Sequence, residues 1–390
     1  MKYNFDEVID RRNTDSLKWN VGENELPLWV ADMDFKAPPC VINALEKRVK
    51  HGIFGYTDVP EAWKVSIQNW WERRHQYTIN ADWLIFATGV VPAISTAVKR
   101  LTNAGDQVLI QTPGYNIFFN SIVNHGRHII ENELTYENGV YEIDFKDLEI
   151  KLSHPLTTLM ILCNPHNPIG KIWDKETLIR IGDLCAKHHV TVISDEIHCD
   201  LTTPGHFYVP FGSASKTCED ISVTCLSASK AFNLAGLQSA IVYAPNPSLR
   251  AKMTRGLNSD EVAEPNAFAA VATVAAFNEG EEWLEALRIY IEDNKQRVRE
   301  FMGQSGLNVY VVPSKATYLL WLDFAKVTGN VPALQQFIRN EEGLYLSVGE
   351  QFGKSGSSFL RMNVACPLSV LEEALKRLER AVKKFMNDSI

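Results

Sequence analysis

The chain has 390 residues, 45% of them hydrophobic and 22% charged, which is enough for two packed cores, so a large and a smaller domain are expected. Its 47 acidic against 39 basic residues give a formal charge of −8, and no basic tract suits a nucleic-acid-binding arm. No apolar run approaches the ~18 residues of a membrane span, and Met1 to Asp15 is polar and charged where an export signal needs an apolar stretch, so we expect a cytoplasmic protein without nucleic-acid or membrane partners.

The first fifty residues carry Arg11-Arg12-Asn13-Thr14-Asp15, then Leu28-Trp29-Val30-Ala31-Asp32-Met33-Asp34-Phe35 and a Pro38-Pro39 break, and they read as an irregular arm packed on another part of the chain. Asp32 and Asp34 read as caps of the helix that Pro38 begins, with general acid/base chemistry as the alternative. Gly52 to Thr57 is a glycine-flanked loop with an exposed tyrosine, Tyr56. From about residue 82 a strand, loop and helix alternate repeatedly, the pattern of a mostly parallel sheet covered on both faces. Apolar runs at 83–87, 108–110, 159–163, 190–194 and 221–226 each lead into a polar or aromatic residue: Gly89, Tyr115, Asn167, Asp195 and Lys230. Residues 239–243 add one further strand, and 260–302 read as helices. A second domain follows, with strand-like runs at 309–312, 318–322, 344–346 and 359–364 and a closing helix with Ser369 and Glu372 in capping-box spacing. Seven cysteines stand singly, at 40, 163, 185, 199, 218, 225 and 366, and without C-x-x-C spacing they read as reduced, mostly buried thiols, with neither a metal site nor disulfides.

The stretch Ser227-Ala228-Ser229-Lys230 puts a lysine at the end of a buried strand, where poor solvation lowers its pKa and frees the neutral amine for imine chemistry. The glycine turn Thr88-Gly89-Val90-Val91-Pro92 feeds a helix whose first N–H groups can meet an anion. Ligands of open α/β sheets bind at the carboxyl ends of the strands, and five such ends in series here carry a candidate residue. A lysine, a strand-end carboxylate and a phosphate-binding helix start together match pyridoxal phosphate chemistry. On these residues the whole chain resembles the fold type I pyridoxal-phosphate-dependent aminotransferases. More narrowly, Asp10-Arg11-Arg12, Trp29 to Phe35, Asn164-Pro165-His166-Asn167-Pro168 and Ser194-Asp195-Glu196-Ile197-His198 resemble the cystathionine β-lyase branch called the MalY/PatB group.

The resemblance implies an α/β fold with a large domain built on a mostly parallel seven-stranded sheet between helices, plus a smaller α+β domain. It places residues 1–50 in an arm and part of the small domain, 51–285 in the cofactor domain and 286–390 in the small domain. Lys230 would form the Schiff base, Asp195 would pair with the pyridine nitrogen, Asn167 would meet the phenolic oxygen and Tyr115 would stack on the ring. Gly89, Val90, Val91, Ser227 and Ser229 would hold the phosphate, joined by Tyr56 of a neighbouring subunit, which implies a homodimer. Arg361 would take the substrate carboxylate, with Tyr56, Ala31 and Asp32 beside the substrate, and no metal is expected. Two positions depart from typical aminotransferases: His198 stands where tyrosine is usual, which agrees with the lyase branch, and Gln238 stands where many carry a phosphate-binding arginine. The activity implied is β-elimination of L-cystathionine or a related cysteine S-conjugate to a thiol, pyruvate and ammonia. The alternatives are transamination on the same cofactor, a partner-binding regulatory role on the same fold, and a serine acyl-enzyme read from Ser227-Ala228-Ser229-Lys230, for which the companion motifs are absent.

Overall fold

The computed structural model describes residues 3–388. Seven strands form the central sheet: β1 (Leu84–Ala87), β2 (Gln107–Thr112), β3 (His128–Glu133), β4 (Thr157–Cys163), β5 (Thr191–Asp195), β6 (Ser222–Leu226) and β7 (Ala240–Tyr243). Their order is β1-β7-β6-β5-β4-β2-β3, with parallel pairing throughout except at β7, which runs antiparallel to both neighbours. The inner strands are near-continuous apolar runs because both faces are covered. Alternation along β2 assigns the two faces. Val108 and Ile110 join a core with Ile94, Val98 and Met253, while Leu109 joins another with Leu152, Leu178 and Ile181. The first core is supplied by the helices Val90–Leu101 and Pro247–Ser259, the second by Phe145–Leu152 and Lys175–Lys187.

A smaller antiparallel sheet holds β8 (Tyr310–Val311), β9 (Leu319–Asp323), β10 (Ser347–Val348) and β11 (Phe359–Asn363), in the order β8-β9-β11-β10. The helices Glu281–Ser305, Val331–Glu342 and Leu368–Asp388 belong to the same end of the chain. Two expectations change here. Leu344–Tyr345 leaves the small sheet and instead pairs in parallel with Leu26–Pro27, drawing the N-terminal arm onto this half of the molecule. The closing helix starts at Leu368, so Ser369 lies inside its first turn and caps nothing; the Leu368 N–H is satisfied by the Tyr290 hydroxyl at 2.8 Å. The helical stretch expected at 260–302 resolves into Ala269–Glu279 and Glu281–Ser305, with an irregular segment before them.

All seven cysteines are free thiols, six of them buried, and no helix among the described residues is long and apolar enough to cross a membrane. The two halves share a core at Trp321, which is fully buried in β9, stacks on Phe359 at 5.0 Å and donates its indole N–H to Tyr141 Oη (3.1 Å) of the Val140–Glu142 strand. Trp321→Ala removes the ring and leaves a void. We expect a loss of about 3–5 kcal/mol in urea unfolding, and a loss under about 1 kcal/mol would show that Trp321 carries no such packing.

Candidate active site

The residues at the carboxyl ends of the parallel strands converge on one cavity. Gly89, Val90 and Val91 follow β1, Tyr115 follows β2, Asn167 follows β4, Asp195 ends β5, and Ser227, Ser229 and Lys230 follow β6; His198 and Ala31 complete the lining. Eleven of the fourteen residues singled out from the sequence therefore meet at one place. Arg361 reaches this group through Asn167, donating from Nη1 to its Oδ1 at 3.2 Å. Asp32 lies just behind the Ala31 wall, bound to Arg11 (Nη2 to Oδ2, 2.9 Å). Tyr56 stands apart, fully exposed in the loop after the helix Pro39–His51.

Lys230 is carried on the one-turn helix Ala228–Ala231, which is capped by Ser227 Oγ accepting from the Ser229 N–H (3.0 Å). Its Nζ donates to the Ala31 carbonyl at 2.5 Å, and the Tyr318 hydroxyl donates to the same oxygen at 2.9 Å. Enclosure of the amine lowers its pKa to about 8; Asp32 and Asp195 oppose that fall and Arg361 adds to it. Asp195 is only 3% exposed, and its hydrogen bond is from the Ile197 N–H at 3.2 Å. Burial raises its pKa to about 7, against the lowering by that N–H and by Lys230.

The loop bearing Asn167 is fixed by His166, whose Nε2 bonds the Pro113 carbonyl at 2.8 Å and so ties the end of β4 to the turn after β2. Arg361 is 6% exposed on β11; its Nη2 donates to the Trp29 carbonyl at 2.9 Å, and its guanidinium lies 4.6 Å from the Phe352 ring centroid. Its Nε has no partner among the described residues, and burial lowers its pKa to about 10. His198 is buried and neutral, its pKa lowered to about 3 by burial and then by Lys230 and Arg361, with the Tyr318 ring edge-on at 6.3 Å. The intervening turn is anchored from beneath. Glu196 accepts from Ser194 Oγ (2.7 Å), the Phe211 N–H (2.9 Å) and the Tyr208 hydroxyl, and Asp200 accepts from Trp70 Nε1 (3.1 Å). His75, Cys199 and Asp200 bring ligand atoms within 4.8 Å of one another, but Arg74 lies 3.4 Å from the Asp200 carboxylate, so this is a packed polar network beneath the site.

The aspartates of the arm are not caps. The helix Pro39–His51 has no side-chain cap, and Asp32 and Asp34 are instead ion-paired to Arg11 and Lys18. Charge so well partnered near a sheet end is held by distant residues, which local spacing does not reveal. Sequence reasoning also missed Thr88, Cys163, Ile197 and Ser239, which line the cavity, and Tyr318. The first four adjoin residues that were singled out, whereas Tyr318 opens an apolar strand and reads as core.

A strand-end lysine and carboxylate below an uncapped helix start, on a seven-stranded doubly covered sheet, define a fold type I pyridoxal-phosphate enzyme. The family model for class I and II aminotransferases matches residues 18–378, and the chain belongs to that family. It is 43% identical to cystathionine β-lyase PatB of Bacillus subtilis over 97% of this chain and all of that one. Among solved structures, cystalysin of Treponema denticola with its pyridoxal 5'-phosphate cofactor superposes with a TM-score of 0.96 at 35% identity, over 99% of this chain and 100% of that one. The pyridoxal-phosphate-bound C–S lyase of Staphylococcus hominis gives 0.92 at 32% identity, over 97% and 98%.

The donor set fits that cofactor. A buried carboxylate with a raised pKa needs the cation that a protonated pyridine nitrogen provides, and the helix Val90–Leu101 offers first-turn N–H groups that no side chain caps. The sign for the cofactor-free protein follows. Asp195 holds its proton more tightly folded, at about 7, than at its ordinary 3.8, so its contribution is fully present below about pH 4 and is lost as pH rises to about 7. Asp195→Asn should therefore gain stability relative to wild type between pH 4 and 8 in cofactor-free unfolding, by at most about 4 kcal/mol. A difference that stays constant with pH contradicts the raised value.

Proposed function

We propose that this protein is a pyridoxal 5'-phosphate-dependent carbon–sulfur β-lyase that converts L-cystathionine or a related cysteine S-conjugate, with water, into a thiol, pyruvate and ammonia. The observation that carries it is the enclosed Lys230 amine sharing one cavity with Asp195, Asn167 and Tyr115. The relatives named cystathionine β-lyase and C–S lyase match nearly the whole chain and give the reaction class.

Bound in this cavity, pyridoxal phosphate supplies a carbonyl for the amine and a protonated ring that draws electron density from the substrate Cα. Asp195 would hold the proton on the ring nitrogen, Asn167 Nδ2 would donate to the phenolic oxygen and Tyr115 would cover the ring face. The N–H groups at Gly89 to Val91 with Ser229 and Gln238 would hold the phosphate. Ser227 Oγ already donates to the Ser239 carbonyl (2.5 Å), so its part is to cap the turn and present Ser229. Arg361, whose Nε has no partner among the described residues, would take the substrate carboxylate and orient the Cα–H toward Lys230. With a pKa of about 8, roughly one Lys230 amine in ten is neutral at pH 7 and able to take that proton at Nζ. Tyr115 and the neutral His198 keep water from the reacting carbon. The Cβ–S bond would then break with its electron pair on sulfur, which takes up a proton and leaves as a thiol, and water would hydrolyse the released three-carbon imine to pyruvate and ammonia.

Residues 51–285 and 286–390 act as the cofactor domain and the small domain, with the arm 1–50 joined to the latter. We place the protein in the cytoplasm as a homodimer. Support for the dimer lies in the loop after the first long helix, where Ile53, Phe54 and Tyr56 stand together 68%, 54% and 106% exposed, apolar side chains that an interface would cover. Tyr56 would meet the partner's phosphate site.

Purified holoenzyme should release pyruvate and ammonia in equal amounts from L-cystathionine without any 2-oxo acid. Amino-group transfer that requires an oxo acid, with no pyruvate, would make it an aminotransferase. Lys230→Ala should lower turnover by about 10³-fold or more. Exchange of subunits between inactive Lys230→Ala and Tyr56→Ala dimers should restore activity in the hybrid, and a monomer in light scattering, or no recovery on exchange, would count against Tyr56 acting across an interface.

A further inference from the structure

The segment 29–35 crosses the small-domain side of the cavity as a strap, and it is fastened at both ends. On the lysine side, Asn233, three residues past Lys230, accepts from the Met33 N–H (3.1 Å) and donates to the Met33 and Phe35 carbonyls (3.0 and 2.8 Å). On the Arg361 side, Asn363 Nδ2 donates to the Val30 and Asp32 carbonyls, both at 2.6 Å. The strap's Ala31 carbonyl is what Lys230 Nζ holds.

Behind the strap lies an ion cluster that the chemistry described so far does not use. Arg11 forks onto Asp32, with Nη1 to Oδ1 at 3.3 Å and Nη2 to Oδ2 at 2.9 Å, and also donates to Asp34 Oδ1 (2.7 Å), the Met33 carbonyl (3.0 Å) and Ser16 Oγ (2.9 Å). Asp34 has two further partners, the fully buried Lys18 Nζ at 2.7 Å and Trp19 Nε1 at 2.8 Å. Asp34 would therefore stay paired without Arg11. Asp32 would not, since Lys18 is 3.9 Å from it and already committed to Asp34.

We propose that Arg11 is a positioning residue for the reaction: its fork neutralises Asp32 and fixes the strap, and so sets the charge that Lys230 Nζ feels. The proposal rests on the assignment of Lys230 as the amine that bonds the cofactor. The charged and titratable groups facing that amine are Asp32 on the strap, Asp195 from the central sheet, Arg361 from the small sheet, the neutral His198, and the Tyr115 and Tyr318 phenols, the latter donating to the same Ala31 carbonyl. Of these carboxylates Asp32 has the larger upward pull on Lys230. A bidentate guanidinium partner withdraws much of its field.

The sign is fixed by that arrangement. Without Arg11 the negative charge of Asp32 stands uncompensated, the proton on Nζ is held more tightly and its apparent pKa rises. Without the Asp32 charge it falls. The test is a pH titration of the visible absorbance of the holoenzyme, which reports the proton on the nitrogen joining Lys230 to the cofactor, independently of turnover. Arg11→Gln should shift the midpoint upward by about one unit and Asp32→Asn downward. The double variant should follow Asp32→Asn, and Arg11→Lys should lie between wild type and Arg11→Gln. A midpoint unchanged or lowered in Arg11→Gln overturns the proposal, as does the same direction of shift in both single variants or a double variant that follows Arg11→Gln. If Arg11→Gln does not fold, Asp32→Asn decides alone, and an unchanged or raised midpoint there overturns it. Lys230→Ala keeps the two failures apart. If that variant retains the titrating absorbance, the assignment of Lys230 is wrong; if wild type titrates and Arg11→Gln does not shift, only the role of Arg11 is wrong.

Discussion

A lysine amine kept out of water, with one backbone carbonyl as its acceptor, is the constraint on which the rest of this site depends. An ammonium ion loses several kcal/mol of hydration on such burial, and the amine answers by giving up its proton more easily. The fold has to supply enough negative field to keep the proton within reach of neutral pH and enough enclosure to keep it labile. Asp32, Asp195 and the Ala31 carbonyl supply the first, and Tyr115, His198 and Tyr318 supply the second. The Ala31 carbonyl belongs to the N-terminal arm, far in sequence from the sheet that carries the lysine. The arm is thus a wall of the site, and the parallel pairing of Leu26–Pro27 with Leu344–Tyr345 holds it against the small domain.

The same burial acts on three groups in opposite senses. It raises Asp195, lowers Lys230 and lowers Arg361, so none of the three has a counter-charge that fully offsets its burial. Asp195 lacks a cation, Arg361 lacks an anion beyond neutral acceptors, and Lys230 is ready to lose its charge. A protonated ring, a substrate carboxylate and a carbonyl carbon are the three ligand features that remove these deficits together. The cavity is therefore costly to keep empty and stabilised by what it binds, which is how a rigid scaffold stores selectivity for a cofactor and an amino acid at once.

Much of the fold was legible in the sequence because its strands are apolar runs closed by informative residues. Leu159 to Cys163 leading to Asn167, or Val192 to Asp195, state both a buried strand and what stands at its end. Period-2 patterning carries no sign of direction, so nothing in Ala240–Tyr243 showed that this strand runs against its neighbours. The strap was harder still. Asp32 and Asp34 stand a few residues before Pro38, where local chemistry suggests a cap, and their actual partners are Arg11, Lys18, Trp19 and Asn363, while Asn233 holds the backbone of Met33 and Phe35 beside them. Contacts spanning 200 or more residues leave no spacing to read. Tyr318 was hidden for a related reason, since a hydroxyl inside an apolar strand is indistinguishable from core until its acceptor is placed.

Gln238 ties these threads to the phosphate end of the cavity. Among the described residues lining it, Lys230 is the one lysine or arginine, and its Nζ donates to the Ala31 carbonyl at 2.5 Å, away from the proposed phosphate end. In the proposed reading the phosphate subsite would be built from neutral donors: the helix start after Gly89, Ser229 and Gln238. Oriented N–H dipoles spread over several groups can hold an anion, though each contributes less than a guanidinium fork. With no arginine among the described residues lining this end of the cavity, the proposed cofactor would lean more on the lysine bond and on the Asp195 pair. The first of these is the contact on which Asp32 of the strap acts, so under the proposal for Arg11 the arm that walls the site also bears on how firmly the cofactor is kept.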